Sequence, residues 1–273
     1  MNIVAIGIAK NEADVVAEGV REALRWADDY VLYSSSNDGT DELAREAGAI
    51  VIAGDVNETF NEGLRQHAYA AAMMLKPDWV WRVDPDEIYH PGPDPRDVFG
   101  RAMGSTATCI RASILEFWLT LDDVRRGLLL EDERISVQRR RRWYTYGHMA
   151  MVAWRPRVDL AYRMDVGVQR RRNVPVTPAG QDVSELGPCH GTPLLQKHYS
   201  GRSLRQIVER RASRTDLASF GKYRHNLIVD EGIGLHYLGD DGEIIFRHNQ
   251  DYIYDWYRVA QKLYKERMGG GDV

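Results

Sequence analysis

Two periodicities alternate along the N-terminal third of this chain, and the alternation excludes most architectures. The run "NIVAIGI" is apolar without a break, as in a strand buried on both faces. "NEADVVAEGVREALRWA" then sets Val15, Val16, Gly19, Val20, Ala23, Leu24 and Ala27 on one helical stripe. "YVLYSS" reads as a second strand and "DGTDELAREAG" as a short helix closed by Gly48. "AIVIAG" is a third strand, "NETFNEGLRQHAYAAAMMLK" a long helix stopped by Pro77, and "DWVWRV" a fourth strand. Strand and helix in strict succession predict an α/β fold with a parallel sheet covered on both faces.

Ligands of such sheets bind at the carboxyl ends of the strands, where this chain places its acidic residues. "RVDPDEIYHP" sets Asp84, Asp86 and Glu87 at the end of the fourth strand. "KNE" brings Glu12 to the end of the first strand, and "SSSNDGTDE" brings Asp38 to the end of the second. Two carboxylates one residue apart can grip a hard divalent cation, with water and phosphate oxygens completing the shell. A proline turn in which Asp86 caps a helical turn is the structural alternative. Gly7 stands alone in "AIGIAKNE", so neither a dinucleotide fingerprint nor a P-loop is present. That disfavours a nicotinamide dehydrogenase or a P-loop kinase.

Composition narrows the partners. A net charge of -4 argues against binding nucleic acid or anionic membrane through bulk charge. Only six of the 36 basic residues are lysine, an excess of arginine that suits bidentate phosphate binding and that coding bias also explains. Cys109 and Cys189 are too few for a disulfide framework or a four-ligand zinc site, which predicts reduced thiols and a cytoplasmic setting. No signal-peptide pattern opens the sequence and no apolar run reaches the ~20 residues that span a bilayer.

Beyond Gly100 the pattern changes. "TATCIRASILEFW" reads as a strand, and "RISVQRRRR" with "HMAMVAWRP" as an antiparallel pair. Residues 173–193 form a long loop rich in proline and glycine, of the kind that is functional or mobile. "SLRQIVERRASRTDLASFGKY" is helical, "LHYLGDDGEIIFRH" a hairpin turning at Asp241 and Gly242, and "DYIYDWYRVAQKLYKERM" an amphipathic helix. The aromatic run of that last helix packs on the body of the domain or forms a homodimer contact.

"KNEADVV", "SNDGTDELARE", "FNEGLRQHAYAAA" and "PDWVWRVDPDE" resemble, in order and spacing, the family 2 glycosyltransferases of the GT-A fold. A looser match follows at "LLQKHYSGRSLRQIVERR". The resemblance implies a GT-A-type mostly parallel sheet flanked by helices, an antiparallel acceptor-side portion and a helical C-terminal extension. Residues 1–200 would form the catalytic domain, with a nucleotide-sugar half at 1–105 and an acceptor half at 106–200; residues 201–273 would pack on it. It further implies that Glu12 and Asp38 line the nucleotide site and that Asp84 lies against ribose and metal. Asp86 would ligate Mg2+ or Mn2+ on the diphosphate of a nucleotide-sugar donor, with His198 at the same metal and Arg202 on phosphate. Arg65 falls near the family's arginine. Tyr33 stands where the family often has a base-reading aspartate; a phenol can stack on a base but cannot accept an imide proton as a carboxylate does.

Inverting transfer also needs a carboxylate base on the acceptor side, which the family places roughly 80 to 100 residues beyond D-x-D. Asp165, Asp182 and Glu185 occupy that window, and Asp182 is the choice; Glu131 and Asp132 resemble another acidic pair of the family. The acceptor class stays open among glycan, lipid-linked, small-molecule and modified-DNA acceptors. Arg139 to Arg142 with Trp143 and Tyr144, Arg170 to Arg172, and Arg205, Arg210, Arg211 and Arg214 interleave cations and aromatics as a DNA groove would. Alternation along strands instead puts every second arginine in solvent. A nucleotidyltransferase and a non-catalytic nucleotide- or sugar-binding module are the competing readings.

Overall fold

A computed structural model describes residues 1–118, 136–140, 143–162, 174–199, 236–238 and 244–246. Its strands and helices are β1 (Ile3–Ala9), α1 (Val16–Ala23), β2 (Asp29–Ser34), α2 (Thr40–Glu46), β3 (Ile50–Ala53), α3 (Arg65–Met74), β4 (Trp79–Arg82), β5 (Glu87–Tyr89), α4 (Pro95–Met103), β6 (Cys109–Trp118), α5 (Val137–Arg140), β7 (Trp143–Trp154), β8 (Leu194–His198), β9 (His236–Leu238) and β10 (Ile244–Phe246). Two compact units divide the chain. The first comprises Met1–Leu115 and Gly147–His198, the second Glu116–Tyr146 and Tyr199–Val273.

In the first unit the strand order is β3-β2-β1-β4-β7-β6-β8-β5. The β3-β2-β1-β4 portion is parallel throughout, as the βαβ succession demands. Antiparallel pairing begins where β7 joins β4, at Val80 opposite Trp154, and recurs between β5 and β8. The result is a mixed α/β sheet with a parallel half that carries the acidic strand ends. Successive residues of β1 feed opposite cores. Ile3 and Ala5 pack with Val16, Val20, Trp79, Trp81 and Phe99, and Val4 and Ile6 pack with Leu64, Ala68, Tyr69 and Trp154. Burial on both faces is why β1 shows no polar alternation.

Besides the added short strands β5 and β8, three elements differ from the sequence expectation. The helix after β3 begins late: Asn61 accepts the Gly63 N–H and starts a short 3₁₀ turn over Glu62–Leu64, and α3 opens only at Arg65. Of the described part of "RISVQRRRR", Val137–Arg140 form α5 instead of the expected strand. α4 is an added element, opened by Asp94, which accepts the Asp97 N–H, with Pro95 in its first turn. Residues 174–193 form the long connection expected of them, held by isolated bridges of Val176 to Ala161 and Asp182.

Within the second unit, Phe117 stacks at a tilt against Tyr144 and Tyr199, with centroids 5.2 and 4.7 Å apart. Trp143 and Tyr144 pair with Tyr237 and His236, and β9 with β10 forms the expected hairpin. The proposed helices of the C-terminal extension, and the arginines at 141–142, 170–172 and 205–214, lie outside the described residues. No described helix is long and apolar enough to cross a membrane.

Candidate functional site

The acidic residues gather at the carboxyl ends of β1, β2 and β4 because each strand end is knotted to its neighbour. Asp38 accepts the Thr40 N–H and hydroxyl on one oxygen, at 3.1 and 2.5 Å, and the Ala13 N–H on the other at 3.2 Å. Thr40 Oγ1 in turn accepts the Glu12 N–H at 2.8 Å. Asn11, in the left-handed region at φ 56°, accepts the Asn37 N–H at 3.1 Å, and its own N–H reaches Ser36 Oγ at 2.9 Å. The loops bearing Glu12 and Asp38 are therefore tied to each other.

Asp84 is clamped by a buried arginine. Arg65, with no exposed side-chain surface, forks onto both of its oxygens at 2.6 and 3.0 Å. The Ile8 N–H adds a third bond to Oδ1 at 3.1 Å, and Arg65 also reaches Glu62 at 2.7 Å. Burial pushes the Asp84 carboxyl up, but the charge and hydrogen bonds of Arg65 outweigh it and hold the group below the usual carboxylate range. Arg65 thus grips the acidic turn from beneath.

Glu87 closes the turn. Its N–H bonds the Asp84 carbonyl at 2.9 Å, its carboxylate accepts the Asp84 N–H at 2.9 Å, and its other oxygen lies 3.6 Å from the buried Arg82. Burial raises its pKa against the opposing pull of Arg82. Glu87 also stands opposite His198 in the β5–β8 ladder. That register carries His198 Nε2 to 3.6 Å from Asp86 Oδ2, with Asp86 only 4% exposed. From the other side, Gly19 of α1 lies so close to the Pro85 carbonyl that a Cβ there would collide with it. Helix and turn touch through a missing methyl group.

Two oxygen and nitrogen donors, Asp86 and His198, are therefore placed side by side, whereas Asp84 already serves three N–H donors. No group of three or more His, Cys, Asp or Glu forms a metal cage among the described residues. Asp86 and His198 fit an ion that takes the rest of its shell from water and ligand oxygens. Imidazole with carboxylate suits Mn2+ better than Mg2+.

The remaining expected residues are dispersed. Tyr33 donates to Glu58 at 2.5 Å and stacks on His67 at 4.7 Å, with Gly54 against its hydroxyl edge. Burial, reinforced by Glu58, raises the phenol to about 12. Lys10 fixes the same loop through the Val56 and Glu58 carbonyls at 3.1 and 2.7 Å. Asp182 sits in a tight turn, where Oδ1 accepts the Ser184 N–H at 2.8 Å and its hydroxyl, and its N–H reaches Glu185 at 2.9 Å. Arg202, Asp165, Glu131 and Asp132 lie outside the described residues.

Sequence reasoning missed Arg82 as the partner of Glu87, the Glu58 and His67 contacts of Tyr33, and the union of Cys109 with Cys189. Arg82 was visible in "RVDPDE" as an arginine inside an otherwise apolar strand, and such a residue needs an internal partner. The two cysteines, expected as separate reduced thiols, form a disulfide with a Cα–Cα distance of 4.7 Å.

Comparison with known proteins gives no family: no family model matches the chain, and no curated protein matches it. Among solved structures, a mannosyl-3-phosphoglycerate synthase from Rubrobacter xylanophilus is 15% identical, covers 95% of this chain and 90% of its own, and has a TM-score of 0.42. A mycobacterial protein is 18% identical over 92% of this chain and 84% of its own, also at 0.42. At these scores the likeness carries no argument, and the functional reading rests on the geometry above.

Proposed function

We propose that this chain is a metal-dependent glycosyltransferase of GT-A type that moves a sugar from a nucleotide-diphosphate donor to an acceptor, with inversion. The observation that supports it is the pairing of Asp86 with His198 at 3.6 Å, in the turn that follows the parallel strand β4 and is tied to the neighbouring β1 through the Ile8 N–H and Asp84. Asp86 and His198 would hold Mn2+ or Mg2+. The bound cation would supply charge neutralisation for the departing diphosphate.

The protein's own residues do the rest. Arg65 and Glu87 hold the Asp84–Glu87 turn so that Asp86 faces His198, and the knotted loops of Glu12 and Asp38 present a fixed wall to the nucleotide. Tyr33 orders the Glu58 loop. Asp182 is the proposed base, which would take a proton from the acceptor hydroxyl. Arg202 is the proposed further phosphate contact.

The test is a thermal-shift panel of nucleoside diphosphates, nucleotide-sugars and nucleoside triphosphates, with and without Mn2+, on the native chain and Asp86→Ala. A ligand well above its dissociation constant stabilises the folded state by mass action. Stabilisation by one nucleotide-sugar that needs metal and vanishes in Asp86→Ala supports the proposal. Selective stabilisation by a triphosphate, with pyrophosphate release on turnover, replaces glycosyl by nucleotidyl transfer. No shift with any nucleotide and metal ends the transferase reading.

A further inference from the structure

Tyr33 anchors a polar cluster that the paired Asp86 and His198 do not use. The side chain is only 6% exposed, and its hydroxyl lies so close to Gly54 that a Cβ there would collide with it. His67, in the first turn of α3, stacks on the phenol ring at 4.7 Å with the two planes 19° apart, and is itself exposed to solvent. The buried phenol thus leaves little of its ring for a ligand, whereas the imidazole that covers it is open to one. The phenol's one proton goes to Glu58 Oε2 at 2.5 Å, and Lys10, directly after β1, holds the Glu58 carbonyl at 2.7 Å. Among the described residues, Glu58 Oε1 accepts no bond. A carboxylate is acceptor-only, so that oxygen calls for an incoming N–H or O–H. The cluster gathers at the carboxyl ends of β1, β2 and β3, where parallel sheets bind ligands. Tyr33 is paired with Ile8, whose N–H bonds Asp84 at the start of the acidic turn. From β2 across β1 to β4 is two strand spacings, roughly 10 Å, comparable to the reach from base to diphosphate in an extended nucleotide.

We propose that Glu58 and His67 select the nucleobase of the donor, taking a base with a ring N–H, uracil or guanine, over adenine and cytosine, and that Tyr33 is the positioning residue that aims Glu58. The carboxylate missing at position 33 is thereby supplied from 25 residues further along the chain. Uracil and guanine carry a hydrogen on the ring nitrogen of their pairing edge, which Glu58 Oε1 accepts. Adenine and cytosine carry a lone pair there, which would face the carboxylate and weaken any bond from their amine. A site built to bond an N–H rejects a ligand that lacks it. The imidazole of His67 supplies a stacking face that tolerates every base. This inference rests on the transferase reading, because it assigns the base of the donor bound in that site.

Dissociation constants of UDP, GDP, ADP and CDP are measured by calorimetry with Mn2+ on the full-length chain, Glu58→Gln, His67→Ala and Tyr33→Phe. In the native chain UDP or GDP should bind at least about tenfold tighter than both ADP and CDP, and the two arms tell uracil from guanine. Glu58→Gln can keep the Tyr33 bond through its amide oxygen while turning an NH2 towards the base, so the preference should disappear or pass to ADP and CDP. Tyr33→Phe should narrow the preference, a ratio between ligands that lost folding stability alone would not move. His67→Ala should weaken all four by about fivefold or more and leave their ratios unchanged. If Glu58→Gln does not fold, the native ratios and His67→Ala decide. Nucleotide binding without base preference, a preference for ADP or CDP, native ratios retained in Glu58→Gln, or native affinities in His67→Ala each overturn this inference and leave the transferase reading standing. Binding of none of the four overturns both.

Discussion

Replacing Arg65 by Met should be among the most costly substitutions in this chain, and the cost should depend on pH in a defined direction. Arg65 has no exposed side-chain surface and is the bidentate partner of Asp84. Removing one member of a buried pair leaves the other charge uncompensated, at about 3–5 kcal/mol. Glu62, which is 29% exposed, adds no more than about 1 kcal/mol when it loses the same guanidinium. The expected loss is therefore about 4 kcal/mol at pH 7, a large share of the ~5–15 kcal/mol that holds a domain together. In the native protein the Asp84 pKa lies below its ordinary 3.8, so its contribution is complete above that value and fades as pH falls through the folded pKa. Without Arg65, burial is the largest influence left on Asp84, opposed by Arg82 and the Ile8 N–H, and it raises the pKa, so the variant gains relative stability on acidification. The difference between the two proteins should shrink from pH 7 to pH 4. Urea unfolding at both pH values measures it, and Arg65→Met/Asp84→Asn should recover at least half of the loss. A cost below about 1 kcal/mol at pH 7, or one that does not change with pH, would refute the clamp.

Three further outcomes are expected. Gly19→Ala would normally gain about 1 kcal/mol inside a helix, but here its methyl meets the Pro85 carbonyl, so a loss of about 1–3 kcal/mol by urea unfolding is expected, and a gain would show that the turn can retreat. Lys197 is lowered to about 8 by burial, so stability should rise as pH rises from about 8 towards the unfolded 10.5. Lys197→Met should accordingly gain about 3 kcal/mol at pH 7 and little at pH 11, read by denaturant midpoints at the two pH values. Tyr33→Phe deletes the phenol bond to Glu58 and should cost about 1 kcal/mol in urea unfolding; an unchanged midpoint would assign that loop no share of the stability.

The parallel half of the sheet was legible because strands buried on both faces admit few polar residues: β1 is an unbroken apolar run, and β2 and β4 are apolar but for Asp29, Ser34 and Arg82 at their ends. Their acidic ends were legible for the same reason, since polar residues must resume where burial stops. α4 had readable signals in Asp94 and Pro95, the cap and first-turn pair that open a helix. The late start of α3 was hidden, because only the Asn61 side chain distinguishes a 3₁₀ turn from a first helical turn. The four residues of α5 defeated a reading based on strand alternation, since so short a segment defines no period. Within the site, Asp86 and Asp84 look alike in sequence. What separates them is Arg65, 19 positions away from Asp84, and His198, brought in by the β5–β8 register. Both are tertiary facts, as is a disulfide closed across 80 residues.

The buried arginines also bear on how an anion could approach a strand end crowded with carboxylates. Asp84 faces Arg65, and Glu87 faces Arg82. At long range these groups look to solvent like closely spaced dipoles, whose fields fall off faster than those of single ions. Beyond a Debye length of roughly 10 Å, little of them reaches an incoming molecule. An incoming diphosphate would therefore not be turned away at a distance by the sum of every acidic group in "RVDPDE". The internal pairing hides that charge, so the apparent repulsion written into the sequence is absent from the field that guides encounter.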